Sequence, residues 1–331
     1  PCRSRRVDHA ETSAKCWLAQ TESNSIVWNR YMSKRASSSL SPLALQEMRL
    51  QSLSAITTPP ALSIDEIYRD PDVDYAEIES ILATSLHPRP STMLYDKMGQ
   101  MGLAESHRLL DVGCRDAQHT AALVKRYGCR ALGIDPIDDH IVRALALIEK
   151  QKLQGQLTVY KGKIEALPAQ NARFDFIWCR DVLNHVADLY TGLAECFRVL
   201  RPGGKMVTYQ TFATNLLEPA EAVRLYLPLA VIATNMSPDY FENIAQRVGF
   251  RITEKDLIGS EWREQWEEEG TRTTSTQLLH LARLQRNRAA YIAQFGQTMY
   301  EVQLANCHWG VYQMLGKLCP ISYVLEKSFA G

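Results

Sequence analysis

From residue 109 onward, short apolar runs alternate with segments of helical periodicity, and this rhythm restricts the chain to few architectures. RLLDVG at 108–113 reads as a strand, AQHTAALVKRYG at 117–128 as a helix closed by Gly128, and RALGIDP at 130–136 as a second strand. DDHIVRALALIEKQKL, a helix, separates this from LTVYKG, a strand. FDFIWCR at 174–180 is another strand, and LYTGLAECFRVL a helix stopped by a turn at RPGG, 201–204. KMVTYQTFA follows as a fifth strand. Consecutive strands joined by helices run parallel, with helices on both faces of the sheet. Further on, residues 216–233 read as helical, SPDYFENIAQRVG as a helix between Ser237 and Gly249, FRITEKDLIGS as a sixth strand and PISYVLEKS as a seventh. A long insertion from Glu261 to about Leu318 precedes the last strand.

The rest of the chain reads differently. Residues 1–31 show little periodicity, and Met32 opens MSKRASSSLSP, so roughly 1–40 is expected to be a tail or leader. From 41 to 105 the pattern is helical, broken at Pro59–Pro60, with Ser63 and Asp74 as candidate N-caps. This suggests an N-terminal helical cap over 41–105, a core over 106–260 plus 319–331, and a helical insertion over 261–318.

Lys plus Arg number 37 and Asp plus Glu 37, so no global field favours nucleic acid or an anionic membrane. No run of ~18 apolar residues predicts a spanning helix; LYLPLAVIA at 225–233 is too short and holds Pro228. The 8 cysteines form no CxxC pair and read as reduced thiols of a cytoplasmic protein, with no metal site expected. A small-molecule partner is expected, neither nucleic acid nor membrane; a homodimer stays possible.

The turn DVGCRDAQHT at 111–120 lies where an open α/β sheet binds ligands. Gly113 lets the chain turn sharply, and the helix that follows presents free N–H groups. Asp135, 22 residues after Gly113, ends the second strand, where a carboxylate can accept both ribose hydroxyls of an adenosine.

These residues and their order resemble class I S-adenosylmethionine-dependent methyltransferases, of the methyltransferase-11 type and the small-molecule branch. That family's first motif, D-V-G-C-G-x-G, stands here as Asp111, Val112, Gly113, Cys114, Arg115, Asp116, Ala117, with Arg and Ala in place of two glycines. GIDPI, KGKIEALP, FDFIWCRDVLNHVADL and VLRPGGKMV follow in the family's order. The resemblance implies a Rossmann-like seven-stranded, mostly parallel sheet of order 3-2-1-4-5-7-6. It also implies S-adenosyl-L-methionine as cofactor, with Asp111, Gly113, Cys114, Arg115, Ala117, Asp135, Pro136, Ile164, Glu165, Cys179 and Arg180 around it. Arg115 could meet the cofactor's methionine carboxylate through its planar fork, or face solvent. The family's acidic residue for the adenine amine is replaced by Lys163 and Ile164, leaving Ile164, Glu165 or backbone for that task.

Methyl transfer to a lone pair needs mainly proximity and orientation, and a base only where a proton must leave. Asp181 and His185 are the candidates; four apart, they would share a face if the segment turns helically. The pattern R-D-x-x-x-H resembles phosphobase N-methyltransferases, in which such residues serve the active site. The competing roles are an N-cap for Asp181 and packing for His185. Tyr209, Trp262, Trp309 and Tyr312 are candidate substrate contacts, with core packing the alternative for Trp262, Trp309 and Tyr312. The reading is an enzyme methylating a small molecule, a secondary metabolite being plausible, at N, O or C. A catalytically inactive binding or regulatory relative and an isoprenoid C-methyltransferase are the alternatives.

Overall fold

The computed structural model of the chain describes residues 63–65 and 74–328. The tail expected at 1–40 and the helix expected at 41–56 lie outside the described residues. The chain divides into two compact units at residue 83. In the first, helix α1 (Tyr75–Leu82) starts at Asp74, whose carboxylate accepts from the Ala76 and Glu77 N–H groups at 2.9 and 3.3 Å, as an N-cap should.

In the second unit, among the described residues, seven strands form one sheet. They are β1 (Arg108–Val112), β2 (Arg130–Asp135), β3 (Leu157–Lys161), β4 (Phe174–Arg180), β5 (Leu200–Ala213), β6 (Phe250–Leu257) and β7 (Leu318–Lys327). Their order, β3-β2-β1-β4-β5-β7-β6, is the expected one. The first five pair in parallel; β7 enters antiparallel between β5 and β6.

Side chains alternate across β4 with the period of two that any strand imposes. Ile177 and Cys179 join one core layer with Leu193 and Cys196 of helix α5 (Leu189–Val199) and Phe241 and Ile244 of α7 (Pro238–Val248). Phe176 and Trp178 join the other layer. There they meet α2 (Met93–Gln100) through Leu94 and Met98, α3 (Gln118–Tyr127) through Leu123 and Val124, and α4 (Asp138–Lys150) through Ala144 and Ile148.

Two local expectations are corrected. RPGG does not interrupt the strand: β5 starts at Leu200, opposite Phe174, and a bulge spans the gap before Lys205 meets Phe176. The helix expected over 216–233 is shorter, α6 (Pro219–Tyr226). Pro228 cannot donate a helical hydrogen bond, and Ala230 turns to φ 52°, leading to a 3₁₀ turn at Ala233–Met236. The stretch before β7 is helical: α8 (Glu261–Glu268), α9 (Thr273–Arg286), α10 (Arg288–Phe295) and α11 (Gln297–Met314).

Candidate active site

The loop after β1 keeps an unusual backbone. Gly113, Arg115 and Ala117 sit at φ 74°, 52° and 59°. A Cβ on Gly113 would lie 2.2 Å from the Val182 Cγ2, so glycine is required on both counts. Arg115 and Ala117 occupy the two lost glycine positions of the motif yet hold the left-handed conformation, at a cost of roughly 1–2 kcal/mol each. The Gly113 and Cys114 N–H groups both donate to the Ile134 carbonyl, at 2.7 and 3.0 Å, which pins the loop to β2.

Asp135 ends β2 and is 5% exposed. Its Oδ2 accepts from the Arg115 N–H at 2.9 Å; its Oδ1 accepts from the Ile137 N–H at 3.0 Å and lies 2.9 Å from the His140 Nδ1. A carboxylate thus stands at the loop with about one lone-pair site left to accept from a ligand hydroxyl. Asp111 is buried one strand over, with the Thr120 hydroxyl donating to it. Burial raises its pKa to about 7; the Thr120 bond opposes the shift and the nearby Asp135 charge adds to it. These residues fit S-adenosylmethionine at its ribose, and the turn with the α3 N-terminus fits its charged end.

The remaining cofactor candidates are placed unequally. The Cys114 Sγ packs toward Gly133, where a Cβ would lie 2.8 Å from it, and Cys179 lies inside the α5–α7 core layer. Burial pushes both thiols up, so any share they take in binding falls to their backbone. Ile164 is buried, Glu165 half-buried, and Pro136 and Arg115 exposed, all on the loops following β1, β2 and β3.

A second group of side chains gathers beyond the ends of β4 and β5. Tyr209 and Trp262 stack with ring centroids 4.5 Å apart and 6° between planes. The Arg180 guanidinium lies over both, 5.4 and 5.1 Å from the ring centroids. Asp181, at φ 53°, has its N–H held by the Tyr209 carbonyl at 2.9 Å, and its Oδ2 is 4.0 Å from the Arg180 Nε. The Asp181 side chain keeps 47% of its surface open. Desolvation raises its pKa to about 6, opposed by Arg180 and Arg263.

The expected shared face of Asp181 and His185 does not form. Left-handed Asp181 breaks the helical path, and only a 3₁₀ turn, Leu183–His185, follows. His185 is exposed, with Nδ1 3.2 Å from the Ala230 carbonyl oxygen. The aromatic candidates also part company. Tyr209 and Trp262 belong to the layer of α2, α3 and α4. Trp309 and Tyr312 pack beside Leu225, Tyr226 and Leu318 in another cluster. There the Tyr312 hydroxyl donates to the Glu221 Oε1 at 3.3 Å, beside Lys317.

Several neighbours of the site were not legible in the sequence. Tyr95 of α2 stacks on Trp178 at 5.7 Å, and its hydroxyl shares a 2.5 Å hydrogen bond with the His119 Nδ1. Burial, then the Arg180 charge, lowers the His119 pKa to about 4, so its ring is neutral. Arg263 sits beside Trp262 on α8. Only its proximity to Trp262 could have drawn attention to it; nothing in the motif order marks it.

This sheet order, with a ligand-facing turn after β1 and an acid ending β2, defines the class I S-adenosylmethionine-dependent methyltransferase fold. Residues 110–208 match the family described as a methyltransferase domain, and the chain carries that domain. The ubiquinone biosynthesis O-methyltransferase of Psychrobacter arcticus is 35% identical over 50% of this chain and 66% of its own length. The 24-methylenesterol C-methyltransferase 2 of Oryza sativa subsp. japonica is 30% identical over 51% of this chain and 47% of its own. The chain thus spans less than two thirds of the curated relatives it matches. Among solved structures, the [4+2]-cyclase SpnF shares the fold with a TM-score of 0.58 and 16% identity, covering 82% of this chain and 98% of that one. No helix among the described residues is long and apolar enough to cross a membrane.

Proposed function

We propose that this chain is an S-adenosylmethionine-dependent methyltransferase acting on a small molecule. The observation that carries the reading is the 113–117 loop. It holds left-handed backbone at Arg115 and Ala117, two positions with no local reason to adopt it, facing the buried carboxylate of Asp135. Strain of this kind persists where the surroundings over-determine it, and it clusters at ligand clamps.

The cofactor supplies a methyl group already activated by a sulfonium. The chain's part is to bind and orient. Asp135 holds a ribose hydroxyl, Arg115 faces the cofactor's carboxylate, and Ile164, Glu165 and Pro136 border the adenine. Cys114, Ala117 and Cys179 shape the binding walls through their backbone, and buried Asp111 braces the loop from below through Thr120. We assign to Asp181, whose partly open carboxylate lies beside Arg180, the removal of a proton from an acceptor, while His185 steadies the following turn through Ala230. The same reading makes Tyr209 and Trp262 acceptor contacts, and Trp309 and Tyr312 contacts farther out. A cytoplasmic enzyme of secondary metabolism, with a homodimer as its open assembly, accords with cysteines that are free among the described residues.

Calorimetric titration with S-adenosylmethionine and S-adenosylhomocysteine tests the reading. Micromolar binding of either is the expected result; absence of binding to both overturns it.

A further inference from the structure

Arg263 is anchored more elaborately than a surface arginine. Its Nε donates to the Gln313 Oε1 at 2.7 Å and its Nη1 to the Gln277 Oε1 at 3.1 Å, from helices α11 and α9. Gly310 makes the arrangement possible: a Cβ there would fall 1.8 Å from the Gln277 Oε1 and 2.8 Å from the Arg263 Nη1. Gln313 is itself buried, its Nε2 donating to the Thr211 Oγ1 of β5 at 3.2 Å.

The guanidinium is therefore held by neutral amides. Burial lowers its pKa, as it does for a cation whose charge is incompletely compensated. The carboxylates that act on it, Asp181 and Glu267, do so from a distance. Glu267 is already engaged by the Thr274 and Ser275 N–H groups and the Ser275 hydroxyl, at 2.8, 3.1 and 2.5 Å. Arg180, whose guanidinium lies 5.4 and 5.1 Å from the Tyr209 and Trp262 ring centroids, adds a second cation, and Asp181 lies 4.0 Å from it. Arg180 thus has one carboxylate near it, and Arg263 is in no ion pair among the described residues. The buried Trp262 Nε1 finds no hydrogen-bond partner among the described residues, leaving one more donor beside them. Buried charge without a matching partner is costly, and a ligand of opposite sign removes that cost.

We propose that the methyl acceptor carries an anionic group, a carboxylate or a phosphate, bound by Arg263 and Arg180. This rests on the methyltransferase reading above. The acceptor is then recognised by its charged end, and Asp181 sits beside that end.

The test uses the full chain saturated with S-adenosylhomocysteine and three small probes: benzoate, phenyl phosphate and neutral benzamide. Binding is followed by ligand-observed NMR titration. At least one anion is expected to bind fivefold or more tighter than benzamide, and the tighter anion identifies the group. Arg263→Gln removes the preference, Arg263→Lys retains part of it, and both leave S-adenosylhomocysteine affinity within twofold, which shows that the variants fold. Equal binding of all three probes, no saturable binding of either anion, or a preference that survives Arg263→Gln overturns the proposal while leaving the methyltransferase reading standing. Failure of the unsubstituted chain to bind either S-adenosylhomocysteine or S-adenosylmethionine overturns both readings.

Discussion

The proposed cofactor edge and the proposed acceptor edge of the site are assembled in opposite ways. The cofactor edge comes mostly from one βαβ unit, residues 111–140, and its chemistry is largely backbone: a left-handed loop, a helix N-terminus and one carboxylate. The acceptor edge draws Tyr95, Arg180, Asp181, Tyr209, Trp262, Arg263 and Gln313 from across the unit, and its chemistry is side-chain stacking and charge. A site made from backbone in one short segment tolerates changes of residue type, and Arg115 and Ala117 are instances. A site made from distant side chains changes whenever one of them does.

If the two edges are energetically separate, Trp262→Ala should cost stability without touching the cofactor. Loss of a buried, stacked tryptophan is expected to lower unfolding free energy by about 3–5 kcal/mol in urea denaturation. S-adenosylhomocysteine affinity should stay within twofold; a parallel loss would join the two edges into one unit. The mirror experiment is Asp135→Asn. One hydrogen bond to a charged acceptor corresponds to roughly 1.5–3 kcal/mol, so affinity should fall by at least about 10-fold by calorimetry. Neutral probes at the acceptor edge should bind as before.

A third change probes the floor of the cofactor edge by pH. The folded-state pKa of Asp111, about 7, lies above its ordinary 3.8, so the folded chain keeps a proton that the unfolded chain releases. The stability this proton confers is full below about pH 4 and is lost progressively up to about pH 7. Asp111→Asn should flatten that slope in thermal unfolding scans across the interval; an unchanged slope would place the titration elsewhere. The smallest effect is expected at Arg115. Arg115→Gly relieves left-handed strain and should raise stability by roughly 1 kcal/mol, whereas Arg115→Ala should not. Both should weaken S-adenosylhomocysteine binding a few-fold, which separates the backbone role of this position from its side chain.

Legibility in the sequence followed the same division. The strands from 108 to 180 lie where apolar runs predicted them, because each run is bounded by a glycine or a helix cap that acts within a few residues. Gly113 and Asp135 could be found by spacing alone, since one crossover separates them. RPGG was misjudged because turn chemistry is local, while pairing to Phe174 and Phe176 carried the strand through it. Asp181 and His185 would share a face only if their segment turned helically; a single left-handed residue, Asp181, prevents that. Trp309 and Tyr312 share helical spacing with true core positions, and spacing cannot say which neighbouring helix they meet. Tyr95, His119 and Arg263 left no mark, because their partners are 14 to 50 residues away.

The amino-acid sequence by itself determined the strand-and-helix order, the turn at Gly113 and the acid at Asp135, because period, glycine and capping operate between near neighbours. Tertiary structure alone decided that Arg180 lies beside the Tyr209–Trp262 stack, that Gly310 clears room for Arg263, and that Asp181 lies near Arg180 while His185 turns toward Ala230. Those relations join residues far apart in the chain, and only the packing of β4, β5, α8 and α11 against one another brings them within reach.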